Sequence, residues 1–273
     1  MRRPVSAAYI GMAAMLIFNL APFYWAISSS LKSNTEVVSF PATLWPRNLS
    51  FQAYREIWLN GGFPVYFANS LIVSLATAVL AASFAVLAGY GFSRFRFRFR
   101  TALMSIFLAS QLIPSILLVL PYFKLLTIVG LYDTRIGLIA ALTTMSHPFS
   151  VWMLAGYMDS VPIEIDQAAM IDGATRFRVL IHVVLPNAIP GIVATMTFAF
   201  LMSWGDLIWA LCLITDETKI TLTLGITRLV GEYRVEWAQI MAATVVAAII
   251  PAGLYLFAQR YIVNSFVESA VRE

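Results

Sequence analysis

Charged residues are scarce in this chain: only 12% of its 273 residues are Asp, Glu, Lys or Arg, whereas 60% are hydrophobic. The surface of a water-soluble enzyme of this length needs more ionisable groups, so that class of protein is excluded. The same apolar content excludes an intrinsically disordered chain. A net charge of +4 is too small a basic surplus for a nucleic-acid-binding surface. The composition therefore predicts that lipid is the main solvent of this chain.

Cysteine and histidine are also nearly absent. The single Cys212 cannot form an intrachain disulfide, and no Cys/His cluster has the spacing of metal ligands, so no metal site is expected. The two histidines, His147 and His182, are interpreted as packed or interfacial side chains rather than catalysts. A membrane-embedded enzyme is disfavoured, because no cluster of nucleophile, base or metal ligands can be assembled from the apolar runs. The pattern G-x-x-x-x-G-K-[ST] is missing from the sequence, which excludes a nucleotide-binding loop of that kind.

Long apolar runs are what the sequence does contain. A membrane-spanning helix needs about 20 mostly apolar residues, and six runs meet this requirement. No domain boundary is visible, so residues 1–273 are predicted to form one all-α integral membrane domain. Pro114, Pro148 and Pro251 fall inside runs and predict kinks there. The six runs lie near residues 7–28, 65–92, 101–121, 136–157, 188–211 and 237–262.

The second run carries small residues at helical spacing. Ser70, Ser74, Ala78 and Ala82 lie four residues apart, and a neighbouring stripe of alanines leads to Gly89. Small side chains at this spacing let helix backbones approach closely, although alanine is also simply common in membrane helices. Both interpretations stay open on the sequence alone.

Arginines near the ends of the runs predict the orientation of the chain. Arg94, Arg96, Arg98 and Arg100 share one short connection, where the excess of positive charge on the cytoplasmic side is most informative. Placing this connection inside puts both termini in the cytoplasm. The other basic residues that then lie inside are Arg2, Arg3, Arg176, Arg178, Arg260 and Arg272.

Residues 159–186 form a polar segment between the fourth and fifth runs. Pro162 at a first helical position predicts the start of a helix, and Gly173 predicts its end, because glycine accepts positive φ without steric cost. Thr175 is a suitable cap for a second helix, residues 176–185, which Pro186 ends. Ile165, Ala168, Ala169 and Asp172 share one face of the first helix. The residue types leave two interpretations: a helix that enters a cleft on a soluble partner, or a loop helix that rests on lipid headgroups.

A motif in this segment resembles a known family. Gln167-Ala-Ala-Met-Ile-Asp-Gly-Ala174, followed by Leu185-Pro186, resembles the EAA signature of the permease subunits of ABC importers, E-A-A-x-x-D-G-A with a downstream L-P. The resemblance covers most of the chain and is strongest to the maltose-type, carbohydrate-importing branch. The further segments that carry it are Asn69-Ser70, Ala88-Gly-Tyr-Gly-Phe-Ser-Arg94, Gly130-Leu-Tyr-Asp-Thr134, Trp204-Gly-Asp-Leu207 and Thr221-Leu-Thr-Leu-Gly225.

The resemblance implies a fold, a function and partners. The fold is that of a type I ABC importer permease, with six transmembrane helices and a cytoplasmic coupling helix that docks into a cleft on an ATPase subunit. The implied partners are a second homologous permease, two cytoplasmic ATPase subunits that bind ATP and Mg, and an extracytoplasmic solute-binding protein, all at the bacterial inner membrane. No cofactor is expected in this chain, which is a non-catalytic subunit moving a sugar or related polar solute by ATP-driven alternating access.

The resemblance also implies coupling residues. Those carried over from the motif are Gln167, Ala168, Ala169, Asp172, Gly173 and Ala174. Position 167 departs from the family, since Gln replaces the usual Glu and loses the charge assistance of its hydrogen bond. Glu164 and Asp166 lie within a turn and are predicted to supply that charge. The tail, residues 264–273, also departs from the family's glycine-rich ending, so no contacts are carried over to it.

Polar side chains inside membrane spans often mark a translocation path. The candidates here are Asn69, Gln111, His147, Trp204 and Asp206, each with a structural alternative; for Asp206 that alternative is a solvated carboxylate at a helix end. An ion-coupled secondary transporter is the alternative function. It would need titratable groups near the middle of the bilayer, where His147 is almost the only one.

Overall fold

A computed structural model describes residues 5–59, 61–231 and 235–270 of the chain, with side chains described for residues 9–59, 61–231 and 235–259. The predicted inside residues Arg2, Arg3 and Arg272 lie outside the described chain. Within it the secondary structure is helical, apart from an isolated antiparallel bridge between Val230 and Val235. The α-helices are α1 Val5–Ser30, α2 Asn34–Val37, α3 Gln52–Leu59, α4 Phe63–Arg94, α5 Arg100–Ser110, α6 Ser115–Ile128, α7 Arg135–Asp159, α8 Ile163–Ile171, α9 Arg176–Val179, α10 Leu185–Asn187, α11 Ile189–Trp204, α12 Ile208–Leu213, α13 Leu222–Thr227 and α14 Trp237–Ala270.

Four of these helices are individually long and apolar enough to cross a membrane, and two bent pairs raise the number of candidate spans to six. The four lie within α1, α4, α7 and α14, whose first residues fall within two residues of the predicted starts of the runs. The bent pairs are α5 with α6, at 96°, and residues 176–187 with α11, at 79°. Pro148 and Pro251 lie inside the continuous helices α7 and α14.

The third predicted span, residues 101–121, is interrupted close to Pro114, where the sequence predicted a kink. Helix α5 ends at Ser110 and α6 starts at Ser115, with Pro114 as the residue before it rather than inside it. Proline lacks a backbone N–H and disfavours the helical conformation of the residue before it, which favours a helix boundary at this point. Hydropathy depends on the apolar side chains on both sides of the break and does not indicate how sharply α6 bends away from α5.

The fifth predicted span, residues 188–211, is also interrupted. Helix α11 ends at Trp204 with Gly205 as its cap, and α12 begins at Ile208. The carboxylate of Asp206 accepts hydrogen bonds from the backbone N–H groups of Trp209 and Ala210, which caps α12. A new helix therefore starts where the sequence predicted the old one to continue.

The helix predicted over residues 176–185 is longer than expected and changes type. Residues Leu180–Val184 form a π-helical turn, and helical backbone continues through Pro186 to Asn187. Proline at 186 has no N–H to donate to the carbonyl four residues earlier, so an α-helical ladder cannot close there. The N–H of Leu185 instead bonds to the carbonyl of Leu180, five residues back.

Contacts divide the chain into two compact units, Met1–Phe67 with Leu224–Ile250, and Ala68–Thr223 with Pro251–Glu273. The single-domain organisation of the chain stays a prediction. In the first unit, the Asn34 side chain donates to the carbonyl of Val235 (3.3 Å) and accepts from the N–H of Ala238 (3.3 Å). The amide of Gln239 donates to Glu56 (2.6 Å), so α2 and α3 are both hydrogen-bonded to the start of α14 within this unit.

The core of the second unit lies among α4, α7 and the 176–188 segment. Fully buried Val151, Leu154 and Met158 of α7 pack with Val179 and Val184. The small residues of α4 lie inside as well, since Ser70, Ser74, Ala78, Ala81, Ala82 and Ala85 are all buried. A Cβ atom at Gly89 would lie 3.1 Å from the backbone nitrogen of Ala155, which shows a close approach of α4 to α7. The small-residue interpretation of this stripe therefore holds.

Gly191 gives a test of the packing between α7 and α11. A Cβ atom at this position would lie 2.4 Å from Cγ and 2.6 Å from Cβ of Tyr157, where the ring cannot swing aside. We expect Gly191→Ala to lower the free energy of unfolding by about 1–3 kcal/mol through overpacking. Thermal unfolding in detergent, followed by dye labelling of the half-buried Cys212, measures this change. Gly205→Ala is the control, because its nearest neighbour would lie 3.4 Å away, and an equal loss there would contradict the packing argument.

Candidate functional site

The candidate site is the segment around α8, which ends in a tight corner. Gly173 has a φ of +86°, and the N–H of Ala174 bonds back to the carbonyl of Ala169 at 3.0 Å. This backbone arrangement closes the C-terminal end of α8. The hydroxyl of Thr175 then accepts from the N–H of Arg178 at 3.4 Å and caps α9, as predicted. Pro162 is the residue just before α8 rather than its first helical residue.

Arg94, the last residue of α4, connects α8 to the rest of the second unit. Its Nε donates to Oδ2 of Asp166 at 2.7 Å, and the two side chains are only 5% and 4% exposed. Its two terminal nitrogens donate to the carbonyl oxygens of Met158 and Val161, each at 3.0 Å. The guanidinium group therefore joins the C-terminal end of α4, the C-terminal end of α7 and the first turn of α8.

The ion pair between Arg94 and Asp166 adds much less stability than the loss of one of its partners would cost. A buried ion pair adds little net stability, because each ion loses its hydration. Removal of one partner leaves an uncompensated buried charge and costs about 3–5 kcal/mol. Replacement of the guanidinium group also removes its hydrogen bonds to Met158 and Val161. Arg94 is therefore a positioning residue that fixes where α8 lies.

The burial of Asp166 corrects one predicted role. Asp166 was expected to supply charge to a soluble partner in place of the missing Glu at 167. Its carboxylate is buried against Arg94 and cannot reach a partner. Glu164 is exposed and remains available for that role, as does the amide of Gln167.

The exposed face of α8 and its corner is mostly apolar. Ile171 is 87% exposed and Phe177, just after the corner, is 66% exposed. Gln167, Ala168 and Asp172 are exposed beside them, whereas Ala169 and Ala174 are partly buried. Large apolar side chains exposed on the protein surface beside a few polar ones are typical of a binding surface.

The five predicted pathway residues do not come together in one site. Asn69 is 2% exposed, and its amide donates to the carbonyls of Thr218 and Ile220, each at 2.9 Å. Asp206 caps α12, and its backbone carbonyl accepts a hydrogen bond from the hydroxyl of Thr223. Asn69 holds the loop before α13, and Asp206 holds the starts of α12 and α13, so the structural interpretation fits each of them better than contact with solute. Asp206 is only partly exposed, rather than the solvated carboxylate expected at a helix end.

The remaining pathway candidates include a neighbouring pair. Gln111, which is exposed, donates to the carbonyl of Met145 at 3.0 Å, and His147 lies edge-on to the ring of Phe107. Both therefore lie where α5 meets α7. Trp204 is 5% exposed and stacks on Phe200 at 5.6 Å between ring centroids, which is a packing role.

An ion cluster lies at the opposite end of α7 from Arg94. Lys219 Nζ lies 2.9 Å from Oδ2 of Asp216 and donates to the carbonyl of Asp133 at 2.8 Å. The hydrogen bond from Lys219 and those from Thr218 lower the pKa of Asp216 to about 2. Hydrogen bonds from the backbone of residues 215 and 216 likewise lower the pKa of Asp133, against the opposing effect of burial.

This cluster gives a pH-dependent test. A carboxyl whose folded pKa is depressed stabilises the fold above its unfolded pKa, 3.8 for Asp216, and loses this effect as the pH falls to about 2. We expect Asp216→Asn to lower Tm above pH 3.8, with a difference from the natural chain that closes towards pH 2. Lys219→Gln should reduce that difference, because the hydrogen bond from Lys219 is the largest cause of the shift. A difference independent of pH would contradict this assignment. Tm is measured at each pH by tryptophan fluorescence, because dye labelling of Cys212 is unsuitable across a range of pH.

Helices long and apolar enough to span a membrane, together with a short surface helix fixed by a buried ion pair, define a helical integral membrane protein. A sequence profile of the family described as binding-protein-dependent transport system inner membrane component matches residues 81–268. The chain belongs to this family, and it is the permease subunit of an ABC importer in the inner membrane. An ion-coupled secondary transporter is not favoured by this result.

Individual relatives are similar to this chain along nearly its whole length. The inner membrane ABC transporter permease protein YcjP of Escherichia coli (strain K12) is 33% identical over 266 residues, covering 97% of this chain and 95% of that protein. The trehalose/maltose transport system permease protein MalG of Thermococcus litoralis is 29% identical, covering 96% and 95%. The fold matches a chain of a bacterial ABC transporter involved in the import of the acidic polysaccharide alginate, with a TM-score of 0.81 at 23% identity, covering 94% and 95%.

Arg94 is a residue of the candidate site that the sequence did not identify. It was read as one of four arginines that set membrane orientation, and as the end of a family-like segment. The sequence offered one signal for it: Arg94 directly follows an apolar run, in a chain with few acidic residues among which to look for its partner. The partner could not be found this way, since Asp166 lies 72 residues further along the chain.

Proposed function

We propose that this subunit imports a sugar or related polar solute, driven by ATP hydrolysis on two cytoplasmic ATPase subunits that bind ATP and Mg. A second, homologous permease completes the translocation path, and an extracytoplasmic solute-binding protein delivers the solute. Both termini lie in the cytoplasm, and residues 1–273 act as one permease domain. The sugar class is supported by relatives such as the trehalose/maltose permease.

The observation that carries the proposal is the clamped α8 with its apolar outer face. In the proposal α8 is the coupling helix, and Gln167, Ala168, Asp172 and Gly173 form the part that enters an ATPase cleft. Ala169 and Ala174 pack behind them, and Glu164 supplies the charge beside Gln167. Because Arg94 joins α8 to the ends of α4 and α7, a displacement of α8 is passed to both of these helices. This is how closure of the ATPase pair would turn the permease from inward-facing to outward-facing.

For the solute pathway, we carry forward Gln111 and His147. The Nδ1 atom of His147 is buried without a hydrogen-bond partner among the described residues. Gln111 is exposed and keeps part of its amide free for a solute hydroxyl. The other three predicted pathway residues, Asn69, Trp204 and Asp206, are better explained by loop and packing contacts.

Docking of α8 is tested by a charge on its exposed face. Ile171→Asp places a carboxylate where the proposal buries an apolar side chain in an ATPase cleft. We expect about tenfold or more weaker association with the ATPase subunits, since burial of one unpaired carboxylate costs well over 1.4 kcal/mol. Co-purification from membranes measures the change, and Ile128→Asp, exposed on α6, is the control. Unchanged association in Ile171→Asp would remove α8 from the interface.

The solute class is tested on the reconstituted transporter. ATP hydrolysis is measured with the solute-binding protein present, across disaccharides, oligosaccharides, polyols, amino sugars and glycerol phosphate. We expect stimulation by one class of carbohydrate and none in a transporter that lacks this subunit. Stimulation by none of the panel would reject the carbohydrate assignment and leave the docking of α8 intact.

A further inference from the structure

The connection between α4 and α5 has an unusual surface. Its five residues alternate between aromatic and basic, Phe95-Arg96-Phe97-Arg98-Phe99, and all five are exposed. Arg176 of α9 joins this surface, since its guanidinium carbon lies 4.9 Å from the centre of the Phe95 ring. Together these six residues are named the basic-aromatic patch. A soluble surface rarely leaves three neighbouring phenylalanines in water, because burial of each is worth a large free energy.

The arginines of the basic-aromatic patch keep their charge available. Two acidic residues at this end of the second unit are already paired, Asp166 with Arg94 and Asp159 with Arg100 at 3.3 Å, and the exposed Glu164 and Asp172 belong to α8 and its corner. Arg96 and Arg98 form no ion pair within the described part of the chain, and Arg98 lies 5.7 Å from the ring of Phe99. The basic-aromatic patch therefore presents unneutralised positive charge next to apolar rings.

The short connection between α4 and α5 limits how far the basic-aromatic patch can lie from the hydrocarbon core of the membrane. With five residues between the ends of α4 and α5, its tip can project at most about 10 Å beyond the helices. The apolar part of α4 continues to Phe92, and α5 becomes apolar at Ala102, so the hydrocarbon boundary lies within about one turn of the connection. The polar headgroup layer on each side of a bilayer is about 5–8 Å thick. The patch therefore lies at the level of the headgroups.

We propose that the basic-aromatic patch binds the headgroups of anionic phospholipids. Arg96 and Arg98 pair with lipid phosphates, while Phe95, Phe97 and Phe99 insert between the headgroups and the upper acyl chains. The observed cation–π contacts hold the rings and guanidinium groups side by side, so both kinds of contact are made by one surface. This surface is distinct from the outer face of α8 and does not depend on how α8 docks.

The test compares two double variants of the full-length chain in its assembled transporter. Arg96→Gln with Arg98→Gln removes the unpaired charge of the patch. Arg47→Gln with Arg55→Gln removes the same charge from exposed positions of the first unit. Each transporter is taken from nanodiscs of phosphatidylcholine with phosphatidylglycerol, and native mass spectrometry measures the phosphatidylglycerol that stays bound. A juxtamembrane arginine contributes about fivefold in affinity for an anionic surface, so we expect about 25-fold weaker binding in the first variant only.

Further arms separate the sources of anionic charge. Inorganic phosphate should not displace bound phosphatidylglycerol, since it lacks the acyl chains that the rings contact. Displacement by inorganic phosphate would show a soluble-anion site and overturn the proposal. Loss of ATPase subunits from the Arg96/Arg98 variant, with its bound phosphatidylglycerol unchanged, would show a protein contact and overturn it as well. Equal lipid binding in both double variants would also reject it, whereas unchanged Cys212 dye-labelling temperatures would confirm that the variants are folded.

Discussion

Replacement of Arg94 with alanine is expected to abolish solute uptake and to lower the free energy of unfolding by about 3–5 kcal/mol. The side chain of Asp166 is only 4% exposed, so its carboxylate would be left buried without the guanidinium group of Arg94. The carbonyls of Met158 and Val161 would lose their donors as well. Uptake of radiolabelled solute into proteoliposomes, together with thermal unfolding, measures both effects.

A lysine at position 94 separates charge from geometry. Lys keeps the positive charge but offers one ammonium group, which cannot reproduce the planar guanidinium that bonds to Asp166, Met158 and Val161 together. We expect Arg94→Lys to remain folded, with about 2 kcal/mol less stability, and to transport less solute per ATP hydrolysed. Full coupling in this variant would show that the charge alone matters and would remove the positioning role of Arg94.

Arg100→Ala is the matched control for the Arg94 variants. Arg100 also pairs with an acidic residue, Asp159 at 3.3 Å, but the two side chains are 38% and 48% exposed. Exposed ion pairs contribute about 0–1 kcal/mol, so this variant should transport almost normally. A defect as large as that of Arg94→Ala would mean that loss of any arginine at this end of the bundle is harmful.

Gly173→Val is expected to reduce uptake severely while the chain still inserts into the membrane. Gly173 has a φ of +86°, which a β-branched residue adopts only with strain of about 1–3 kcal/mol. Relief of that strain opens the corner between α8 and α9, so the exposed face of α8 turns away from its partner. Uptake and ATPase co-purification are the measurements, and both are expected to fall.

Gly130→Val is the control for strain alone. Gly130 has a φ of +72° and, like Gly173, open space around its Cβ position, so the two variants carry similar backbone strain. Gly130 lies between α6 and α7, away from α8 in the second unit. Equal loss of uptake in both variants would assign the effect to stability, whereas normal uptake in Gly173→Val would reject the coupling role of the corner.

The sequence predicted continuous, uniformly apolar helices well. Helices α4 and α7 extend two residues or fewer beyond the predicted limits, because hydropathy alone decides where such a helix can begin and end. The corner at Gly173 and the cap at Thr175 were also predicted, since both depend on local backbone chemistry. These are the features that a single segment determines by itself.

Features that join distant segments were not predictable in this way. The break after Trp204 was not predicted, because Gly205 and Asp206 were assigned to the interior of one run, whereas the break after Ser110 lies close to Pro114, where a kink was predicted. The role of Asn69 depends on a loop about 150 residues further along the chain, which makes this polar side chain a loop support rather than a pathway residue, whereas the Asp206 carboxylate caps the helix that follows it. A search for polar groups inside apolar runs finds such residues but cannot tell which carbonyl or N–H uses them.

The π-helical turn at Leu180–Val184 has a consequence for the direction in which α8 faces. A π turn holds about one residue more than an α turn, and one residue corresponds to a rotation of about 100° and a rise of about 1.5 Å. The glycine corner is therefore rotated around the axis of this helix, relative to where an uninterrupted α-helix would place it. The direction in which the proposed ATPase-binding surface points is thus set by a turn, residues 180–184, that is not part of that surface.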